Sequence, residues 1–275
     1  MAFSVNTNAG AFAALQNLNK TTASLNEVQT QINTGLKVAS AKDNGAVYAI
    51  AQKLRADVAG LNAVKGSLDR ATSGLDVAIA AGEAVSDLLI ELKEKAVAAK
   101  DTGLDSASRT TLNSDFVQLR DQITSIVSNA EFNGTNNVKN GGDAIVAITS
   151  DDGGNTITIG AQDLSLTGTN VKLAATTTIG TATAASAAVS SIETSIANVN
   201  TSLSALGSGS NRLALQRDFV DKLSDSIEVG VGNLVDADLA KTSANLQSLQ
   251  VKQQLGLQAL SIANQAPGTV LSLFR

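Results

Sequence analysis

The sequence predicts a mainly α-helical chain in which long helices from both ends pair as an antiparallel coiled coil, with a small β-hairpin inserted between them. Three observations carry this reading. Apolar residues recur at alternating three- and four-residue steps near both ends, and the middle changes to a composition rich in Gly, Thr, Asn and Asp. The apolar mass is Ala, Leu, Val and Ile, with only 3% aromatic residues, which suits helices packed closely rather than a thick globular core.

Through the first hundred positions the seam reads Leu15, Leu18, Leu25, Ile32 and Leu36, then Leu54, Val58, Leu61, Leu68, Leu75 and Ile79. Thr22, Gln29, Lys65 and Thr72 take seam places between them. Toward the other end Val189, Ile192, Ile196, Val199, Leu203 and Leu206 follow the same alternation, and Leu213, Val220, Ile227 and Leu234 extend it at seven-residue intervals. Each helical region needs a partner for its apolar face, and the other is the nearest one. Between helical segments, Asp43-Asn44-Gly45 predicts a bend, because Asn-Gly readily adopts positive φ.

From about 133 to 180 the chain is an insert of another kind. Ala144–Thr149 and Asn155–Ile159 read as short strands around Ser150-Asp151-Asp152-Gly153-Gly154, with Gly141-Gly142 as a further turn. Alternation along Thr156, Ile157, Thr158 and Ile159 fits a half-buried strand, so a hairpin is expected.

Composition narrows the function. The 275 residues include no His, Cys or Trp, and single copies of Tyr (Tyr48), Pro (Pro267) and Met (Met1). The usual general base, thiol nucleophile and imidazole ligand are therefore missing, so neither an enzyme nor a cofactor or metal site is expected. Asp236-Ala237-Asp238 has the form of the acidic pair that holds a divalent metal in nucleotide-sugar transferases, but a capped turn starting a helix explains it better. Val229-Gly230-Val231-Gly232 lacks the third glycine of a dinucleotide loop, and Asp151-Asp152 reads as a solvated turn. A net charge of −5 with interspersed cations argues against nucleic acid as a partner. No run approaches the roughly 18–20 apolar residues of a membrane span, and the first residues lack the pattern of a secretory signal.

The ends are poor in charge. Residues 1–41 carry only Lys20, Glu27 and Lys37, and residues 241–275 only Lys241, Lys252 and Arg275. Asn and Gln fill the positions beside the leucines, as at Gln16, Asn17, Asn19, Gln250, Gln253 and Gln254. Such helices look built for contact on every side; an ordinary amphipathic helix with an amide-rich solvent face is the simpler alternative. Arms of this kind gain order on assembly, because their stability comes from packing with other chains.

Both ends also carry a resemblance. Ser4-Val5-Asn6-Thr7-Asn8 with Leu15-Gln16-Asn17-Leu18, and Ile32-Asn33-Thr34-Gly35-Leu36-Lys37 running on to Ser40-Ala41-Lys42-Asp43-Asn44-Gly45, resemble the start of bacterial flagellins. Asn211-Arg212-Leu213, Leu234-Val235-Asp236-Ala237-Asp238-Leu239-Ala240, and Leu260-Ser261-Ile262-Ala263-Asn264-Gln265-Ala266-Pro267 before Val270-Leu271-Ser272-Leu273-Phe274-Arg275 are similar to the family's close. The short insert resembles that of short alphaproteobacterial flagellins. Departures are Asn44 where a second Asp is usual, and Gly207-Ser208-Gly209-Ser210 before Asn211.

The resemblance implies a structural subunit of a hollow, helical filament that drives motility, polymerising through its paired end helices; a hook–filament junction or other axial protein is the alternative. It implies an inner layer from arms 1–42 and 233–275, and an outer helical layer from 43–232 that includes the insert at 133–180. Packing in the filament core would fall to Val5, Leu15, Leu18, Leu25, Ile32, Leu246, Leu249, Leu260, Ile262, Leu271, Leu273 and Phe274. The matched motif positions are Asn6, Asn8, Asp43, Asn211, Arg212, Asp236, Asp238, Asn264 and Gln265. Implied partners are further copies of the chain, other flagellins, hook-junction and cap proteins, and an export chaperone. The implied location is outside the cell, after secretion by a type III route. Glu91 and Lys95 replace an Arg and a Leu of the stretch recognised by vertebrate innate receptors, which implies weak recognition.

Overall fold

The computed structural model describes residues 7–272, and side chains for residues 7–265. Among these the elements are α1 (Ala9–Thr34), α2 (Gly45–Ala99), α3 (Ser106–Asn129), β1 (Ile145–Ile148), β2 (Thr156–Ile159), α4 (Ala182–Val235) and α5 (Leu239–Ser272). The mainly helical chain with one small antiparallel hairpin agrees with the sequence prediction. It forms two compact bodies. One contains the residues up to Ala56 and those from Ser226; the other is Asp57–Asp225, so α2 and α4 each contribute to both.

In the first body α1 starts at Asn8, whose Oδ1 accepts the Ala11 N–H at 3.0 Å, and stops at Gly35, where φ is +72°. That left-handed turn favours a residue without Cβ and ends the helix cleanly. The Val235 carbonyl then accepts the N–H groups of Lys37 and Val38 at 2.6 and 3.2 Å, and Gly35 accepts that of Ala237 at 2.9 Å. At the other end, Asn8 Nδ2 donates to the Ala263 carbonyl at 2.6 Å. Midway, Leu18 lies over Gly256, where an added Cβ would meet its Cδ1 at 3.2 Å. Asn8 with Ala263, Leu18 with Gly256 and Leu36 with Asp236 make α1 and α5 antiparallel. Val38, Ala51, Val231 and Val235 close a small core, flanked by Leu36, Val47, Tyr48, Leu54 and Ile227.

The predicted bend near Asp43 exists, but its chemistry differs. The positive φ belongs to Gly35, and Gly45 opens α2 in helical conformation. Asn44 caps α2 by accepting the Val47 N–H on Oδ1 at 3.1 Å. The Asp43 carboxylate accepts the N–H groups of Ala39 and Ser40, at 3.0 and 2.8 Å, and holds the turn. Capping side chains satisfy the free N–H groups of a helix start and need no left-handed residue.

The second body is built on a seam with no break. On α2 the buried seam runs Leu61, Val64, Leu68, Ala71, Leu75, Ala78, Gly82, Val85, Leu89, Leu92, Ala96 and Ala99 at three–four spacing, with Ser67 and Ala81 buried beside it. Val64 and Ala71 thus hold places expected of Lys65 and Thr72. On α4 the buried run is Ala185, Ala188, Ile192, Ser195, Val199, Ser202, Leu206, Gly209 and Leu213, while Val189, Ile196 and Leu203 are half-buried at its flank. Ion pairs Lys65–Asp221 (2.9 Å), Asp69–Arg217 (3.2 Å) and Lys93–Glu193 (2.9 Å) fix these helices antiparallel.

α3, for which the sequence reading named no helix, starts at Asp105, whose carboxylate accepts the Ser108 N–H at 2.6 Å. It buries Phe116, Ile123 and Val127, and the Arg109 guanidinium donates to the carbonyls of Ala99, Asp101 and Leu104. The hairpin register pairs Ile145 with Ile159 and Ile148 with Thr156, burying Ile145, Ala147, Ile157 and Ile159 on one face. Ile148 N–H donates to Ser67 Oγ at 3.0 Å, which ties β1 to α2. On α4, an added Cβ at Gly209 would stand 2.9 Å from Ile159 Cδ1.

Candidate assembly surfaces

The paired arms present two kinds of apolar surface. Facing each other are Ala11, Ala14, Leu18, Thr21, Leu25, Val28 and Ile32 of α1, and Thr242, Leu246, Leu249, Gln253, Gly256, Leu260 and Ala263 of α5, all half-buried or buried. Of the expected packing residues, Leu18, Leu25, Ile32, Leu246, Leu249 and Leu260 lie here. Leu15 and Ile262 do not: they are 43% and 70% exposed. Each residue turns about 100° around a helix, so a shift of one or two positions carries a side chain off the seam. Val5, Asn6, Leu273 and Phe274 lie outside the described residues, as does the side chain of Leu271.

The exposed set has its own order. Val251, Leu255 and Ile262 share one face of α5, on the side away from Leu246, Leu249 and Leu260. On α1, Phe12 and Leu15 are exposed as well. α5 is therefore apolar on two opposite faces, only one of which meets α1. Sequence reasoning found the leucines but missed this division, because apolar content alone does not say which of two faces a partner occupies.

The motif positions separate into joints and open surface. Asn8 joins α1 to α5, and Asp43 holds the turn before α2. Asp236 N–H donates to the Gly232 carbonyl at 2.8 Å, while Asp238 Oδ1 accepts the N–H groups of Ala240 and Lys241 at 3.0 and 3.1 Å and starts α5. This agrees with the capped-turn reading of Asp236-Ala237-Asp238. Asn211 and Arg212 are exposed on α4, and Asn264 and Gln265 on α5.

Three carboxyls at the surface are held below their ordinary values. The Lys65 ammonium, by its hydrogen bond first, lowers the Asp221 carboxyl below its ordinary value. The Ser150 hydroxyl, followed by the Gly154 N–H, does the same for Asp152 in the hairpin turn, and the Ser108 N–H for the Asp105 cap. Each group is structural in its setting, and among the described residues no cluster of acids could hold a metal ion. No described helix is long and apolar enough to cross a membrane.

Comparison with known families decides the matter. Residues 5–140 match the bacterial flagellin N-terminal helical region, and residues 189–274 the bacterial flagellin C-terminal helical region. The chain belongs to the bacterial flagellin family. It is 52% identical over 272 residues to flagellin FljM of Caulobacter vibrioides, covering 99% of this chain and 98% of that one. A Brucella melitensis flagellin is 34% identical over 282 residues, with 99% of each chain covered. The crystal structure of Bacillus cereus flagellin superposes with a TM-score of 0.50 at 26% identity, over 56% of this chain and 88% of that chain.

As a flagellin, the chain is a structural subunit of the flagellar filament, which self-assembles from such subunits, and not an enzyme. The two family regions hold α1, α2, α3, most of α4 and all of α5, and β1, β2 and the start of α4 fall between them.

Proposed function

We propose that the paired arms, residues 1–42 and 233–275, form the inner layer of the filament, and that residues 43–232 form the layer outside it. The observation that carries this reading is the second apolar stripe of α5. Val251, Leu255 and Ile262 stay exposed among the described residues, in a segment almost free of charge. Burying one such side chain contributes about 1.5–3 kcal/mol. A few per neighbour, repeated at every subunit, offset the cost of ordering the arms and make growth cooperative.

Leu18, Leu25, Ile32, Leu246, Leu249 and Leu260 then act inside the subunit, and Leu15 and Ile262 between subunits. A packing role in the filament core for Val5, Leu271, Leu273 and Phe274 rests on the family resemblance alone. Subunits reach the growing tip outside the cell unfolded, by type III export, with a chaperone holding the arms apart beforehand. Other flagellins, the hook junction and the cap offer matching arm surfaces. Glu91 and Lys95 make the monomer a poor agonist of vertebrate flagellin receptors.

The test is seeded polymerisation of the purified chain, viewed by electron microscopy. Long helical filaments are expected. Unchanged elongation after Val251→Lys and Leu255→Lys would overturn the assignment of the second α5 stripe to subunit contact.

A further inference from the structure

The second body carries two more helical stripes that are exposed among the described residues. The first lies on α2: Glu83, Asp87, Ile90, Glu94 and Val97 follow one another at steps of four, three, four and three, and all are exposed. The second lies on α4: Arg212, Leu215, Phe219 and Lys222 follow at steps of three, four and three, again all exposed. Ile90 and Val97 are 55% and 51% exposed, Leu215 and Phe219 72% and 56%. This is coiled-coil spacing on the faces turned away from the buried seam, where solvated helices carry polar residues.

Charge separates the two stripes. Among the described residues Glu83, Asp87 and Glu94 make no ion pair, nor does the adjoining Glu91. Glu83, Asp87 and Glu91 stand four residues apart in succession, so each neighbouring pair of like charges weakens the helix. The lysines of that stretch give no relief, since Lys93 is held by Glu193 and Lys95 by Asp115, at 2.9 and 3.6 Å. On the α4 stripe, Arg212 has no ion-pair partner among the described residues, and Lys222 has only the exposed Asp218 of its own helix. One stripe is acidic around a β-branched pair, and the other is basic around Leu and Phe.

The two cannot meet within one chain. α2 and α4 are antiparallel, with Asp69 opposite Arg217, so Ile90 lies roughly 30 Å along the bundle from Leu215, at about 1.5 Å per residue. They can meet between copies. A contact between two different patches is not self-complementary; repeated, it builds a ring where the rotation closes and an open helical array where it does not, and the second is the symmetry that a filament requires.

We propose that the α2 stripe from Glu83 to Val97 of one subunit docks on the α4 stripe from Arg212 to Lys222 of the next, as a heterologous helix-to-helix contact outside the paired arms. Leu215 and Phe219 pack among Ile90 and Val97. Arg212 and Lys222 meet the unpaired acids, with Lys222 exchanging Asp218 for them. The inference rests on the subunit polymerising, and adds a second contact that selects direction and neighbour by charge.

A charge-exchange experiment on the full chain tests it. One variant carries Arg212→Glu and Lys222→Glu; the other carries Asp87→Lys and Glu94→Lys. Each should keep the circular dichroism and melting temperature of the parent monomer, since all four residues are exposed. Alone, each sets like charges against one another, and seeded elongation at low salt should slow by about tenfold or more. Mixed in equal amounts, they offer opposite charges at every alternating contact, and elongation should recover to within about twofold of the parent. Parental elongation by either variant alone, or a mixture no faster than its parts, overturns the proposal. Failure of the parent chain to elongate would instead remove the polymerisation reading, and Leu260→Arg in the arms should not be rescued by such mixing.

Discussion

The two bodies of this flagellin solve the same packing problem to different degrees. In Asp57–Asp225 the helices share an unbroken seam of fully buried side chains, crossed by ion pairs and closed by α3 and the hairpin. In the arm body α1 and α5 meet along a half-buried seam, and of the α1 side chains only Leu25 is buried. No ion pair joins these arms among the described residues, and α5 keeps a second apolar face exposed. The first arrangement completes its buried seam within one chain. The second leaves an apolar face of α5 open, and on the proposed reading other chains cover it.

That contrast can be broken most sharply at Leu260. Leu260→Arg places a charge on the arm seam, and should abolish seeded filament growth while leaving the thermal unfolding of Asp57–Asp225 unchanged, as followed by calorimetry. Filaments of normal length would refute the division. Phe116→Ala makes the converse cut. It empties a fully buried site in the second body and should cost about 3–5 kcal/mol in denaturant unfolding.

Asn8→Ala removes both an α1 cap and the bond to Ala263. A loss of about 1 kcal/mol is expected in the arm body alone, read by hydrogen exchange of α1 amides. Unchanged protection of Ala11 would deny Asn8 that joint role. The smallest effect concerns acid. The Asp221 carboxyl is lowered by Lys65, so its contribution is present above its ordinary value and fades as pH falls through the lowered one. Because the pair is exposed, Asp221→Asn should flatten the acid end of the pH–stability curve only slightly. A large shift would show that the ion pairs, rather than the seam, hold α2 to α4.

The long helices and the hairpin were legible because periodicity repeats over many turns, and β1 and β2 match the expected strands to within a residue at each end. The phase of the seam was harder to read. Lys65 and Thr72 stand one position from Val64 and Ala71, and a three–four pattern tolerates either choice until burial decides it. On α4 Ser195, Ser202 and Gly209 take seam places between Ile192, Val199, Leu206 and Leu213, and their small side chains admit close approach but send no apolar signal. Ile196 and Leu203 sent that signal from the flank. α3 escaped notice because its apolar residues are few, and Arg109 and Arg120 occupy buried places in it. On the arms Leu18, Leu25, Ile32, Leu246, Leu249 and Leu260 were legible, the small and polar seam residues such as Ala14, Thr21 and Gly256 were not, and Leu15 and Ile262 needed the partner helix to show that they face elsewhere.

One bond carries a consequence for the order of events. Asn8 and Ala263 are 255 positions apart in sequence, yet they are neighbours at one end of the arm pair. Closing so long a loop is entropically the last economical step, taken after local helices have formed and after nearly the whole polypeptide has arrived. A chain delivered N-terminus first therefore cannot finish its arm until residue 263 emerges. If the paired arms are the surface that adds to the tip, as proposed, incomplete chains lack it and the topology itself acts as a check on length.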